Sequence, residues 1–207
     1  MNYMPSHPRQ HFIQGAKQLS VLTAAPRQEL VDVLAYMGAV SVAEIGAVLG
    51  RPADALYFHL RALQRAGLVQ QVGYRTRRGR QEALFRTVAP ELRLRYQPRK
   101  AANRRAVTAI VSSMLRLGIR DFRRAFERAD AVVSGNEREL WALRKTGRLS
   151  AAQIREVNRS IEKLTRHLSR PKTRGRLYGI TVLLTPLDHR NRGSKRNSPS
   201  RGGRAGK

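Results

Sequence analysis

A chain of 207 residues has room for one domain or two small ones, and with 41% hydrophobic residues it can bury a core. Its 41 Lys and Arg outnumber 14 Asp and Glu, giving a formal net charge of +27 that a polyanion relieves, nucleic acid being the commonest. Without Cys there is no thiol catalysis, thiolate-bound zinc or disulfide, and no apolar run approaches the roughly 20 residues of a bilayer span.

Residues 1–25 contain Pro5, Pro8 and Gly15 and no sustained period, which predicts a flexible N-terminal arm with a short helix near Phe12. Pro26 suits the first turn of a helix, and Leu30, Val33, Leu34 and Met37 follow on one face until Gly38. Ser41-Val42-Ala43-Glu44 has the form of a capping box, opening a short helix that buries Val42, Ile45, Val48 and Leu49 and stops at Gly50. Pro52 opens a third helix with Leu56, His59, Leu60 and Leu63 on one face, and Gly67 closes it. Two short helices separated by a tight turn with Gly predict a helix-turn-helix. Two strand-like runs follow, Leu68 to Tyr74 and Glu82 to Val88, separated by Arg75-Thr76-Arg77-Arg78-Gly79-Arg80-Gln81. A hairpin with a basic, Gly-containing tip in this position predicts a wing.

Residues 26–89 resemble the winged-helix domain of ArsR-like regulators. Ser41-Val-Ala-Glu-Ile-Gly-Ala-Val-Leu-Gly50 is similar to their second helix. Leu56-Tyr-Phe-His-Leu-Arg-Ala-Leu-Gln-Arg-Ala-Gly-Leu-Val69 is similar to their recognition helix and its close. The resemblance implies a homodimer that binds operator DNA and regulates transcription. It does not carry metal sensing over. Sensing members use Cys, or clusters of His and carboxylate, whereas this chain has no Cys and His59 and His167 stand alone. No metal and no cofactor is expected.

On a wheel of about 100° per residue, turning Leu56, Leu60 and Leu63 inward turns Asp54, Phe58, Arg61 and Arg65 outward, flanked by Tyr57. That face can enter a major groove. Arg61 can donate a bidentate pair to guanine, and Phe58 can meet a thymine methyl. Its alternative is packing under the wing or the N-terminal arm. The wing offers Arg75, Arg77, Arg78 and Arg80, whose guanidinium groups suit phosphates and narrow minor grooves. His59, on the apolar face, reads as a hydrogen-bonded core histidine.

In the second half, Val107, Val111, Met114, Gly118, Phe122 and Phe126 form a helical stripe from Ala101 to about Ala129. It reads as core, with an effector pocket as the alternative. Asn136 is placed to cap a helix carrying Leu140 and Trp141. Ser150 and Gln153 form a second capping box, opening a helix on which Ile154, Val157, Ile161, Leu164 and Leu168 repeat at three and four. This seam needs a partner helix, either the one at 101–129 of the same chain or that of a second subunit, and pairing of two half-site readers favours dimerisation. Leu177 to Leu187 reads as a strand, similar to one that closes some ArsR-like chains. Residues 189–207 are Arg, Gly and Ser-rich without carboxylates, a composition that predicts disorder.

The fold class expected is mainly α with a small β-hairpin wing: a winged helix-turn-helix over 26–90, then a helical dimerisation or effector region over 100–188 with a terminal strand. No phosphate loop, paired carboxylates or zinc-protease motif points to an enzyme. The function expected is a cytoplasmic, nucleoid-associated regulator that binds double-stranded DNA sequence-specifically, without a membrane partner. An architectural DNA-coating protein and an RNA-binding protein are the alternatives.

Overall fold

The computed structural model describes residues 9–168 and 175–187. The expected fold class holds: the molecule is mainly helical, with a small antiparallel sheet following a helix-turn-helix. Helix α2 (Ala25–Met37) carries Pro26 in its first turn and buries Leu30, Val33 and Leu34. It stops at Gly38, whose φ of 77° excludes most side chains.

The short strand β2 (Val40–Ser41) leads into α3 (Val42–Leu49) through the expected capping box. The Ser41 amide donates to Glu44 Oε2 at 2.9 Å, and the Glu44 amide donates to Ser41 Oγ at 3.4 Å. Left-handed Gly50 ends α3. Helix α4 (Ala53–Arg65), with Pro52 at its N-cap, buries Leu56, Leu60 and Leu63. The turn between α3 and α4 is tight. A Cβ on Gly46 would lie 2.6 Å from the Arg51 carbonyl oxygen, so any side chain there forces the two helices apart.

Strands β3 (Val69–Arg77) and β4 (Arg80–Thr87) form the hairpin, with β2 on the other side of β4. The ladder reaches Arg77 opposite Arg80, further than the alternation of apolar residues suggests. The turn is only Arg78-Gly79, both with positive φ (49° and 74°), which matches the strand twist of a tight hairpin. A bulge between Gln71 and Gly73 bends β3 midway.

Several sequence expectations are corrected; on α3, Val48 is 41% exposed and not buried. The arm expected to be flexible is folded from Gln10: β1 (Gln10–Ile13) pairs in parallel with β5 (Glu91–Leu94), and α1 (Ala16–Val21) follows. Ile13, Leu19, Val21 and Leu22 join the core, and Phe12 lies in a strand, not a helix. The pairing is long-range, which local patterning does not carry. Residues 138–150 form no helix, so Leu140 and Trp141 are not on one. The segment 177–187 forms no strand and pairs with none among the described residues; Leu177, Ile180, Val182, Leu183 and Leu184 are left roughly half-exposed. A single strand without a partner has no ladder to stabilise it. The expected disorder of 189–207 lies outside the described residues.

Helix α5 (Ala101–Phe126) packs on α1 and α2 through Val107, Ile110 and Leu117. Its buried stripe is rotated from the expected one, so Phe122 and Phe126 are exposed and stack on each other at 6.0 Å. The α5 helix is thus part of the winged-helix core. Helix α6 (Ala151–Leu168) begins at its predicted capping box and buries no residue.

Candidate nucleic-acid interface

With Leu56, Leu60 and Leu63 in the core, α4 turns Asp54, Tyr57, Phe58, Arg61, Gln64 and Arg65 to one open surface depression. Five of these are the predicted face; Gln64, one turn beyond Arg61, was missed because its type carries no pattern signal. Phe58 is 69% exposed. It meets the His59 ring edge-on, at 5.4 Å between centroids, and does not pack under the wing. A ring so exposed costs hydration free energy until another surface covers it.

His59 is half-buried and, contrary to expectation, its Nδ1 is buried without a hydrogen-bond partner. Desolvation, then the positive charges of Arg27 and Arg51, push its pKa below 6.5, so the ring is neutral at pH 7.

The four wing arginines divide into two groups. Arg75 is turned back on the fold, pairing with Glu44 at 2.8 Å and Glu82 at 3.3 Å, and Arg77 lies 4.0 Å from Glu44. Arg78 and Arg80, at the tip, are exposed and have no carboxylate partner among the described residues. Glu44 therefore has two tasks, closing the cap of α3 and fixing the root of the wing. Desolvation by partial burial works against its charge, but the Ser41 amide and Arg75 outweigh it and hold the carboxyl below its ordinary 4.5.

A second ion-pair node ties α4 to the second half. Glu29, on the inner face of α2, pairs with Arg51 in the α3–α4 turn at 2.8 Å and with Arg120 of α5. Nearby, Gln28 Nε2 donates to the carbonyls of Leu22 and Ile110. Neither residue stands out in the sequence, because each lies beside the apolar stripe that its helix period reveals.

The predicted seam residues lie together on α6. Ile154, Val157 and Ile161 are half-buried, while Leu164 and Leu168 are about 40% exposed, at 41% and 39%. Val157, Ile161 and Leu164 share an open depression with Leu149 and Val182, which cover them only in part. No helix among the described residues is long and apolar enough to cross a membrane, and no cluster of His, Asp or Glu there could hold a metal ion.

No curated protein matches the chain. Residues 27–72, running from α2 to midway along β3, match the helix-turn-helix domain family, and this portion of the chain is a helix-turn-helix domain of the kind that DNA-binding regulators carry.

Proposed function

We propose that the protein is a transcriptional regulator of the ArsR-like type that reads double-stranded DNA sequence-specifically. Its α4 helix lies in the major groove, and its wing touches the minor groove or backbone. The observation that carries this is the composition of the exposed α4 face. It sets a guanidinium able to fork onto guanine, Arg61, in one open depression with an uncovered ring, Phe58, on a helix whose opposite face is buried in the core. Arg65 and Tyr57 border it and supply phosphate or base donors, and Asp54 an acceptor. At the wing, Arg78 and Arg80 are free for phosphates, while Arg75 serves chiefly to hold the hairpin root. Two copies joined through α6 would present two such faces to an inverted repeat.

The test is selection of binding sites from random duplexes by the purified protein, followed by affinity on the selected and a scrambled site at stated salt. A ratio of about a thousandfold or more fits a specific regulator. An enriched motif of inverted-repeat form is expected. Equal affinity for both duplexes would overturn the reading in favour of an architectural protein, and preference for double-stranded RNA in favour of an RNA binder.

A further inference from the structure

Away from α4 and the wing, the chain concentrates positive charge at one more place. No Asp or Glu occurs between Glu91 and Asp121, whereas Arg93, Arg95, Arg99, Lys100, Arg104 and Arg105 fall within the end of β5 and the start of α5. All six are exposed. Three are engaged: Arg93 pairs with Glu91 at 2.7 Å, Arg95 donates to Gln14 and sits over the Phe12 ring, and Arg104 donates to the Pro98 carbonyl. Arg99, Lys100 and Arg105 have no carboxylate partner among the described residues. The first turn of α5 carries no acid either, so the positive end of its dipole adds to these charges.

We infer that Arg99, Lys100 and Arg105 form a second phosphate-binding surface, for the backbone of duplex DNA, distinct from the α4 and wing face. It rests on the DNA-binding function proposed for α4 and extends it. Two observations support it. First, like charges crowded onto a rigid corner repel one another, and a polyanion offsets that repulsion. The corner is rigid because β5 is paired with β1, and the Asn103 amide fastens the linker by accepting from the Gln97 amide at 2.8 Å and donating to the Arg95 carbonyl. A fixed cluster loses little entropy on binding, unlike a loose basic loop. Second, the strand that leads into the corner is no part of the wing: β5 pairs with β1 in a separate two-stranded sheet, whereas the wing strands β3 and β4 pair with each other and with β2. The phosphates it takes come either from flanking DNA of the same duplex or from a second duplex.

The triple variant R99Q/K100Q/R105Q tests this, because all three side chains are exposed and make no contact the fold depends on. A matched control, R155Q/R159Q/K163Q, removes the same charge from the exposed side of α6. Affinity is followed against salt on short and long duplexes, with selected and scrambled sequence. Each phosphate that the protein no longer neutralises lowers the slope of log K against log salt by about 0.9, so a fall of about 2 to 3 is expected for the triple variant and less than 1 for the control. If flanking DNA supplies the phosphates, the fall appears only on the long duplex. If a second duplex does, the intact protein captures a labelled duplex on a bead-bound one, and the triple variant does not. An unchanged slope with unchanged capture would overturn the inference. So would an equal fall in the control, which would make the effect one of overall charge, or displacement of duplex by single-stranded competitor at lower concentration. The scrambled-sequence arm keeps the two readings apart, since it reports on the corner even if α4 proves to have no base preference.

Discussion

At the scale of single residues, two side chains have separable effects. Arg61→Ala should lower affinity for the selected site and relax preference at one base-pair position, a bidentate guanine contact being worth about 1–3 kcal/mol of discrimination. Affinities of the variant on a panel of single-base site substitutions check this; a uniform loss over all duplexes would make Arg61 a phosphate contact. Glu44→Gln should act on stability through pH. The folded-state pKa of Glu44 lies below its ordinary 4.5, so the charge stabilises the fold above that value, and the contribution disappears as pH falls through the lowered one. Thermal unfolding should therefore show the variant less stable by up to about 1 kcal/mol at pH 7, since Gln keeps the capping box and only the partly exposed pair with Arg75 is lost. The difference should shrink steadily below pH 4.5. The residues of this site that sequence made legible are those whose role follows from period or motif: the outward face of α4, and the Ser41–Glu44 box. The second role of Glu44, as partner of Arg75, was not legible, because it depends on where the hairpin folds back.

At the scale of elements, the helix-turn-helix and hairpin were legible because each is local: a cap, an apolar stripe, a glycine stop. The pairing of β1 with β5 was not, since it joins residues some eighty positions apart, as Gln10 and Glu91 show. The docking of α5 was legible as a helix but not as part of the DNA-binding half. Beside its apolar contacts, it is tied to α2 by Glu29, whose side chain is only 11% exposed and pairs with both Arg51 and Arg120. Glu29→Gln removes the charge both guanidinium groups face, and hydrogen bonds to charged groups contribute about 1.5–3 kcal/mol. The variant should unfold at lower denaturant, with a loss of about 2 kcal/mol by the same reasoning. Its binding to the selected site should fall more than its binding to scrambled DNA, because Arg51 precedes the N-cap of α4 and sets the helix's entry. Equal losses on both duplexes would mean that the node stabilises the fold without placing α4.

For the whole molecule, the question is how a chain of net charge +27 meets a second copy of itself. Two such surfaces repel unless the contact avoids basic residues or DNA neutralises them. On α6 the seam Ile154, Val157, Ile161, Leu164 and Leu168 is flanked in heptad phase by Gln153, Asn158, Ser160, Thr165 and His167, with Glu156 lining the same depression, and by no Lys or Arg. In heptad phase, Arg155, Arg159, Lys163 and Arg166 fall on the side away from the seam. Among the described residues the seam is covered only in part, and the apolar segment 177–187 beside it is half-exposed and pairs with no strand. A second copy would remove both exposures at once, which is why dimerisation through α6 is the arrangement we expect. Replacing Ile161 and Leu164 with Asp places charges in the centre of that contact and leaves the buried core untouched, since α6 contributes no buried side chain to it. Analytical ultracentrifugation should then show a dimer for the intact protein at micromolar concentration and a monomer for the variant, with unchanged helical content. Affinity for an inverted repeat should fall by about 10²–10⁴, the gain that linking two binding units supplies, while affinity for an isolated half-site stays as it was. A variant that remains dimeric would place the contact elsewhere. A monomeric intact protein that still binds the repeat tightly would remove the dimer from the mechanism, leaving α4 and the wing of one copy to read the site alone.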